Sequence, residues 1–517
     1  MLKKLTAIVL AAAIAIIFAG CGDRKIEKKT KKDENESIIS VFSYKPDTLC
    51  PVASNNQANI DVLGIIYEGL VQISEKLTPI PCLAESWSGA EDCTQWTVKL
   101  RNNAKWHDGS EFSARDVVYT VNIIKQLEKS PYLYNVSGIS EISAVDAYTV
   151  EILLSKPCAN FMNLLYFPII KESGAEPDLV NFNAVGTGPY KLQPENDGNI
   201  YYLKKNPEWW GGNVKTETIQ IRMLPGGDTP LYAFGSDSID LIPADNLDWG
   251  KFVDPTESEY TSVAMPVYTF LGINHKNPQL AMKELRRAIS LVIDREELID
   301  ETRLGYGVAV NSPVRPEWFV CENQNADLKQ NTEAAKKLLE ENHWTLSDGL
   351  YKKVSDGVEY KAVFTILVNE ENTVRCNVAA MLANTLEEFG IKASVVKVAF
   401  EEYEKRIAEG SFDTFVGSMG LSPELDYLKF VGEGNVYGFE DEEMRFVATE
   451  MQKKQTEDEI KNAYAEFINL FEQLNPVTGL YFEDSVMLYS KQIQGDVKPL
   501  YFDIYQGIEN IEKGAVE

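Results

Sequence analysis

The chain contains few histidines, and its net charge is strongly negative. Its 517 residues include 3 histidines, His107, His275 and His343, which sit far apart among unrelated neighbours. A histidine metal cluster or a histidine-dependent triad would need folding to unite them, and no pattern predicts that. The 50 Lys and Arg against 78 Asp and Glu give a net charge of −28. This balance argues against a nucleic acid or an anionic membrane surface as a partner.

Cysteine is also scarce and lacks the spacing of a metal or redox site. After Cys21 no cysteine belongs to a C-x-x-C pair or lies at metal-like spacing from a histidine. The remaining cysteines are Cys50, Cys82, Cys93, Cys158, Cys321 and Cys376. Cys82 and Cys93 could face each other across a pair of strands and form a disulfide. Buried free thiols are at least as good a prediction, because a chain of this length does not need disulfides to be stable.

Catalytic motifs are missing as well. The sequence has no G-x-S-x-G elbow, no H-E-x-x-H helix and no G-x-x-x-x-G-K-[ST] phosphate loop. Gly186–Pro189 lacks the third glycine of a dinucleotide fingerprint, and Pro189 would interrupt the helix that must follow. With so many carboxylates, chance proximity explains an acidic pair better than glycoside hydrolysis does. We therefore predict that the protein is not an enzyme and has no catalytic residue, cofactor or metal ion.

Long apolar runs are absent except near the start of the chain. A short positive region precedes the apolar run Leu5–Phe18, which is shorter than the ~20 residues that cross a bilayer. This pattern predicts a secretory signal peptide, residues 1–20, rather than a transmembrane helix. The run ends in Phe18–Cys21, which resembles a bacterial lipobox, although Leu is usual where Phe18 stands. The resemblance implies cleavage before Cys21 and attachment of lipid to that residue.

The segment from Gly22 to Ser37 is rich in Lys, Asp and Glu and has almost no apolar residue. It cannot bury enough surface to become ordered, so residues 21–37 are predicted to form a flexible, lipidated tether. Folding should begin near Ile38. The chain is too long for one hydrophobic core, and its hydrophobic content of 44% is that of a globular protein. Two or three lobes are therefore expected.

The stretch Leu83–Val121 combines three local signals. Apolar and polar residues alternate from Trp96 to Leu100, which predicts a strand with one buried face. Asp108-Gly109 marks a tight turn. Ser113 stands three residues before Asp116, ahead of an apolar run, which predicts the capped start of a helix.

The wording of this stretch, "LAESW…W.V.LR..AKWHDG..F.ARDVVY", resembles the signature of the extracytoplasmic peptide-binding family of ABC importers, also called family 5 solute-binding proteins. Four further blocks resemble that family in the same order. They are Tyr67–Leu70 (YEGL, interpreted as a helix), Gly186–Leu192 (GTGPYKL, a turn into a strand), Asn206–Gly211 (NPEWWG) and Leu271–Asn274 (LGIN, a strand leading into the second lobe). The resemblance covers nearly all of the mature chain.

Hydrophobic periodicity predicts further elements. Glu284–Ile299 has apolar residues at three- and four-residue spacing, so we predict one helix there, and it resembles the family's "VRQALxxAIDR" helix. The other predicted elements are helices at Glu333–Asn342, Ala379–Phe389 and Glu457–Leu474 and strands at Val363–Val368 and Lys392–Val398.

The resemblance implies an α/β fold with the two lobes of a periplasmic binding protein. Two strands are expected to cross between the lobes, and an extra subdomain is inserted in the first. The first lobe is expected at residues 38–67, 183–273 and 480–517, the inserted subdomain at 68–182 and the second lobe at 274–479. Two crossings make a hinge, and hinged lobes close over a ligand that binds the closed state better.

The resemblance also places a ligand between two extended segments. In peptide-binding members such segments pair with the peptide backbone. The candidate contacts are Asn55, Asn56 and Gln57 in one segment and Gly417, Met419, Gly420, Ser422 and Glu424 in the other. The first three could equally form a polar surface loop. Tyr268 and Phe270 share one strand face and are interpreted either as aromatic walls of the site or as core residues.

The second segment departs from the family. Peptide-binding relatives usually carry Gly-Trp followed by an Asp that binds the ammonium group of the peptide. Gap-free counting puts Ser418-Met419 at the Gly-Trp position and the uncharged Ser422 at the Asp, while Glu424 could substitute if the loop shifts. Arg375 or Arg406 could meet a ligand carboxylate or be solvated helix residues.

The sequence thus predicts an extracytoplasmic, lipid-anchored solute-binding protein that delivers a ligand to the permease of an ABC importer, with a peptide as the favoured ligand. Its expected partners are the ligand, the permease subunits and, through the lipid, the membrane. It is expected to be a monomer. A carbohydrate or metal-chelate binder of the same fold, and a sensor or receptor lipoprotein without import, remain alternatives.

Overall fold

The structure is a computed structural model that describes residues 37–194, 198–244, 247–321 and 328–514. The predicted signal peptide, Cys21 and the predicted tether up to residue 36 lie outside the described residues. From Ile38 onward the chain belongs to one unit. In the part of the chain that is described, no helix has both the length and the apolar character needed to cross a bilayer.

Strands and helices are mixed along the whole chain. The strands are β1 (Ile38–Ser43), β2 (Val71–Ile73), β3 (Pro79–Pro81), β4 (Ala84–Gly89), β5 (Gln95–Leu100), β6 (Ile139–Asp146), β7 (Thr149–Leu154), β8 (Tyr190–Leu192), β9 (Ile200–Lys205), β10 (Thr218–Met223), β11 (Leu241–Ala244), β12 (Ser258–Ile273), β13 (Gly307–Ala309), β14 (Thr345–Ser347), β15 (Leu350–Ser355), β16 (Val358–Lys361), β17 (Val363–Asn369), β18 (Lys392–Val398), β19 (Thr414–Gly420), β20 (Val477–Ser490), β21 (Ile493–Gln494) and β22 (Glu512–Lys513). The α-helices are α1 (Gln57–Leu63), α2 (Ala114–Gln126), α3 (Leu133–Ser137), α4 (Thr229–Gly235), α5 (Lys283–Val292), α6 (Arg295–Arg303), α7 (Thr332–Glu341), α8 (Thr373–Phe389), α9 (Phe400–Ala408), α10 (Leu428–Val431), α11 (Glu442–Glu450) and α12 (Glu457–Leu474).

The first strand of the fold pairs with a strand that comes about 180 residues later. β1 runs parallel to β10 with Ile38 opposite Thr218, and β9 and β8 complete a sheet in the order β1-β10-β9-β8. Ile39 and Val41 on β1 are fully buried, as is Ile219 on β10. Both strands therefore contribute apolar residues to the core from the start of β1.

The stretch Leu83–Val121 forms the strand, turn and capped helix predicted from its pattern. β5 lies in a sheet of order β4-β5-β7-β6, and its buried residues alternate with less buried ones. Ser113 caps α2: its backbone N–H donates to the Asp116 side chain, which completes a capping box. The cap satisfies amide groups that a helix start leaves without partners.

The largest sheet has the order β11-β20-β12-β19-β17-β18, and β13 pairs with β20. β12 and β20 are the long strands of this sheet, with 16 and 14 residues. Three hydrophobic clusters of described residues lie along it. The first contains α5, α6 and α8 with the inner faces of β17 and β19, the second extends from β1 through the β4–β7 sheet to α12, and the third joins α4 to β11 and β20. Helices and sheets are thus mixed as in an α/β fold with two lobes.

Two of the predicted helices differ from the structure: one is divided in two, and the other is absent. Glu284–Ile299 is two helices, α5 and α6, because Ile293 and Asp294 adopt extended backbone angles. The Asp294 side chain accepts from the backbone N–H of Glu297 at 3.0 Å and so caps the second helix.

Tyr67–Leu70, interpreted as a helix from its resemblance, is not helical. Leu70 donates its N–H to the carbonyl of Leu165 at 3.1 Å, and Glu68 accepts from Ile169 at 2.9 Å. At Gly69 a Cβ atom would lie 2.4 Å from the carbonyl oxygen of Tyr166. The glycine thus permits a close approach of two extended segments, and the helix, α1, ends before them.

Candidate functional site

β12 and β20 pair along most of their length, but the pairing is interrupted in the middle. Ser258–Ala264 pairs with residues 484–490, and Tyr268–Gly272 pairs with residues 477–482, with register shifts between these blocks. Pro266 lies in the interruption, where its missing N–H costs no ladder bond. Its carbonyl oxygen instead accepts from the N–H of Leu421 at 2.7 Å. An interrupted two-strand crossing is a place where two parts of a molecule can change their relative angle.

A cavity of about 290–330 Å³ lies on each side of the C-terminal segment containing Tyr501 and Phe502, and both rings line both cavities. We call the one beside the interruption the hinge cavity, since Ala264, Pro266 and Asp484 line it.

Arg315 is the basic residue in the lining of the hinge cavity, which also contains the acidic residues Glu75, Glu317 and Asp484. Its side chain is buried, and it pairs with Asp484 at 2.7 Å and with Glu317 at 2.9 Å. Burial raises the pKa of Asp484, and the guanidinium of Arg315 opposes that shift. The cavity therefore presents a cation whose charge is already compensated by two carboxylates.

The second cavity, which we call the acidic cavity, is lined by Asp61, Glu68, Asp503 and Glu509 together with aromatic rings. Glu68 is 8% exposed and accepts hydrogen bonds from Trp209 Nε1 at 3.0 Å, Trp210 Nε1 at 2.9 Å and the Thr187 hydroxyl at 2.8 Å. Burial raises the pKa of Glu68 to about 7, against the effect of these donors. Glu68 thus fixes both tryptophans of the NPEWWG block.

A third cavity, of about 550 Å³, lies between residues 134–164 and residues 424–453, and we call it the outer cavity. Glu424 lies in its wall and is 4% exposed. The Tyr134 hydroxyl donates to Glu424 Oε1 and the Ser422 hydroxyl donates to Oε2. Burial raises the pKa of Glu424, and the two hydroxyl donors oppose the shift. Both oxygens of this carboxyl group therefore already have partners within the protein.

Direct hydrogen bonds join the same two regions beside the outer cavity. Asn163 Nδ2 donates to the carbonyl oxygens of Leu77 at 3.0 Å and Pro423 at 2.8 Å. Asn160 Nδ2 donates to the carbonyl oxygen of Glu424 at 3.3 Å. Asn163 is buried, so loss of its amide donors would leave carbonyl groups without partners away from water.

The structure does not bring all the predicted ligand contacts together. Asn55 is exposed and donates its N–H to Asp47 at 2.8 Å. Asn56 caps α1, with its side chain accepting from Asn59 N–H at 3.3 Å, and Gln57 is the first residue of that helix. The predicted extended segment is therefore wrong at Gln57, where the helix begins, whereas the cap residue Asn56 keeps extended backbone angles. Gln57 still lines the acidic cavity.

Tyr268 and Phe270 lie in the core. Their rings stack with centroids 5.3 Å apart, and they are 0% and 2% exposed. Phe430 packs edge-on against both rings. Of the two interpretations drawn from the sequence, this placement favours the core.

Burial falls from Gly417 to Gly420 and rises again toward Glu424. Gly417 is buried opposite Phe270 on β12, Met419 is half-buried opposite Tyr268, and Gly420 is exposed at the end of β19. Ser422 and Glu424 follow in the loop that contacts Tyr134. Met419, Gly420 and Ser422 are thus the predicted contacts of this group that are at least partly accessible to solvent.

Sequence reasoning missed Tyr134, Asn160, Asn163 and Arg315. None of them lies in a recognisable motif, and their partners are far away in the chain, 290 residues in the case of Tyr134 and Glu424. Within the described ranges no group of three or more His, Cys, Asp or Glu residues is arranged to hold a metal ion.

Comparison with known proteins identifies the same family as the sequence motifs do. The family model "Bacterial extracellular solute-binding proteins, family 5 Middle" matches residues 78–430. The oligopeptide-binding protein AppA of Bacillus subtilis (strain 168) is 22% identical over 546 residues, covering 99% of this chain and 99% of that protein. A dipeptide-binding protein of Escherichia coli (strain K12) is 26% identical over 418 residues, covering 73% of this chain and 75% of that one.

A solved structure, NikZ from Campylobacter jejuni in complex with Ni(L-His), is similar in fold with a TM-score of 0.65 and 21% identity, covering 92% of this chain and 99% of that one. These relatives bind solutes for ABC transporters and are not enzymes. Since the family model spans most of the two-lobed fold described above, this chain belongs to the bacterial extracellular solute-binding proteins, family 5.

Proposed function

We propose that this family 5 protein captures a peptide between its two lobes and delivers it to the permease of an ABC importer. The relatives named above as oligopeptide- and dipeptide-binding proteins support a peptide as the ligand class. Closing two lobes over a peptide excludes water and strengthens backbone hydrogen bonds to it.

The observation that carries the proposal is the interrupted crossing of β12 and β20 with the hinge cavity beside it. The walls of that cavity come from both crossing strands and from residues 73–77, 308–318 and 499–502. A ligand there would contact parts of the chain on either side of the crossing. Because such contacts exist only when the walls are close together, they would favour the closed state.

The ligand contacts that the resemblance predicts on β19 and its loop do not line the hinge cavity, and they are tested separately. Met419→Trp and Ser422→Asp should each change peptide affinity, since one fills space beside β19 and the other adds a charge near it. Both positions are half-buried, so the fold should survive, as measured by the far-UV spectrum and thermal midpoint. If neither variant alters binding, the proposed ligand segment is misplaced.

Native ligand identification is the experiment that tests the function. The protein is purified from its native host without denaturation, the bound fraction is released by acid, and mass spectrometry identifies it. A peptide or set of peptides is the expected result. A co-purified sugar, or a metal chelate such as the one that NikZ holds in its solved structure, would contradict the peptide proposal. The protein would then be a carbohydrate binder or a metal-chelate binder, respectively.

Import and anchoring complete the proposal. Genes for a permease and an ATPase beside this one would favour import, and their absence would favour a sensor or receptor role. Cleavage before Cys21 with lipid attachment would hold the protein, as a monomer, at the outer face of the membrane. Cys21→Ser should then release the protein into the soluble extracytoplasmic fraction, whereas unchanged membrane association would contradict the anchor.

A further inference from the structure

Cys93 and Cys158 are neighbours in the fold although they are distant in the chain. The backbone N–H of Cys158 donates to the carbonyl oxygen of Cys93 at 3.1 Å, just beyond the paired strands β5 and β7. Together with standard bond lengths, this hydrogen bond keeps the two Cα atoms within about 7 Å of each other. Disulfides form at Cα separations of roughly 4.4–6.8 Å, so the backbone spacing suits such a bond.

The two side chains both lie beside residues 452–454. Cys93 Sγ lies 3.8 Å from the carbonyl oxygen of Lys454. Cys158 lines the outer cavity together with Gln452 and Lys453.

The pairing considered from the sequence, Cys82 with Cys93, lacks such a contact. Cys82 donates its N–H to Leu70 at 3.2 Å and lines the acidic cavity instead of the outer one. All six described cysteines have free thiols in this structure. Of these, Cys93 and Cys158 are joined by a backbone hydrogen bond.

We propose that Cys93 and Cys158 form a disulfide bond in the exported protein. The two S–H bonds break and one S–S bond forms, while two electrons and two protons reduce the disulfide of a thiol–disulfide oxidoreductase to two thiols. The family to which the chain belongs is extracellular, and oxidising compartments retain such bonds. The inference does not depend on which ligand is bound.

Folding sets the time at which the bond forms. Burial raises the pKa of both thiols, and Glu424 and Asp426 raise that of Cys158 further, so little thiolate exists once the protein is folded. Exchange therefore takes place while the chain folds after export. The bond ties the turn before β5 to the loop after β7, at the edge of the inserted subdomain that contacts residues 452–455.

Peptide mapping of protein taken from the native cell surface tests the bond. The protein is denatured without reductant, alkylated with N-ethylmaleimide and digested with trypsin and Glu-C, which separates Cys93 (residues 92–99) from Cys82 (residues 77–85) and Cys158 (residues 152–171). The expected product is 92–99 linked to 152–171, about 2 Da lighter than the two free peptides. Cys82 should be alkylated and serves as the internal control.

Full alkylation of Cys93 and Cys158, or linkage of either to another cysteine, would overturn the proposal. Stability provides a second readout that does not depend on digestion. Reduction should lower the thermal midpoint by about 3–6 °C, and Cys93→Ser, Cys158→Ser and the double variant should all remove this dependence on reductant. Cys82→Ser should retain it. A reductant-dependent midpoint that persists in the double variant would contradict the assignment.

Discussion

Glu424 illustrates what a sequence can and cannot predict about one residue. Its position in a recognisable loop made it a candidate for the carboxylate that binds a ligand ammonium group. In the folded chain its oxygens accept from Tyr134 and Ser422, and it is 4% exposed. Tyr134 could not be foreseen as its partner, because no pattern links residues so far apart in the chain.

Replacing Glu424 should therefore act first on stability. Glu424→Ala removes a buried acceptor and with it the hydrogen bonds from the exposed Tyr134 and the half-buried Ser422, so it should lower the free energy of unfolding by about 1–3 kcal/mol. Glu424→Gln keeps a neutral acceptor and should cost less than about 1 kcal/mol. Urea unfolding of the two variants measures the difference, and equal losses would contradict the hydrogen bonds assigned to the carboxyl group.

Glu68 should make stability depend on pH. Its pKa in the folded protein, about 7, lies above the ordinary value of 4.5, because burial disfavours the charged form. A raised folded pKa gives a stabilising contribution that is complete below about pH 4.5 and is lost as pH rises toward 7. The loss is of the order of 3 kcal/mol for a shift of this size. The experiment compares thermal midpoints of wild type and Glu68→Gln from pH 5 to 8, and parallel curves would contradict the assignment.

Hydrophobic periodicity predicted helices and strands well where local sequence determines their ends. α12 begins and ends at the predicted residues, and its start carries a capping box between Thr456 and Glu459. Glu284–Ile299 failed because the apolar spacing continues across Asp294, whose capping role depends on a break that periodicity does not register. Tyr67–Leu70 failed because its backbone partners, near Leu165, come from a distant segment.

The capping box of α12 should be measurable. Thr456→Ala removes the hydroxyl that accepts from Glu459 N–H, and should lower the free energy of unfolding by about 1 kcal/mol. Thr449→Ala is the matched control, since that hydroxyl only donates to the Arg445 carbonyl within its own helix. Urea unfolding should separate the two variants, and an equal effect would assign the loss to the methyl group rather than to the cap.

At the scale of the whole molecule, the resemblance predicted the two-lobed α/β architecture, but it could not predict how the lobes touch. The contacts across the outer cavity come from Tyr134, Asn160 and Asn163, side chains that no motif marks. The lobe boundaries predicted from the sequence remain a proposal. Limited proteolysis with and without ligand would locate the exposed linkers.

Asn163 should couple the lobes to ligand affinity. Asn163→Ala removes donors to Leu77 and Pro423, which face each other across the predicted lobe boundary, so the closed state loses support. Affinity for the native ligand should fall about 5- to 10-fold by calorimetry, equivalent to about 1–1.4 kcal/mol. Asn135→Ala is the control, since its amide donates to Leu164 within the inserted region. An equal loss in both variants would indicate general destabilisation.

The pairing of Gly272 with Val477 has a consequence for the history of the gene. The chain leaves for residues 273–476 and returns at adjacent points of one sheet, so that piece is a single uninterrupted stretch of coding sequence with neighbouring ends. Recombination between related genes can replace it whole, with only two junctions to accommodate. That piece can thus be inherited as a cassette while the rest of the chain stays unchanged.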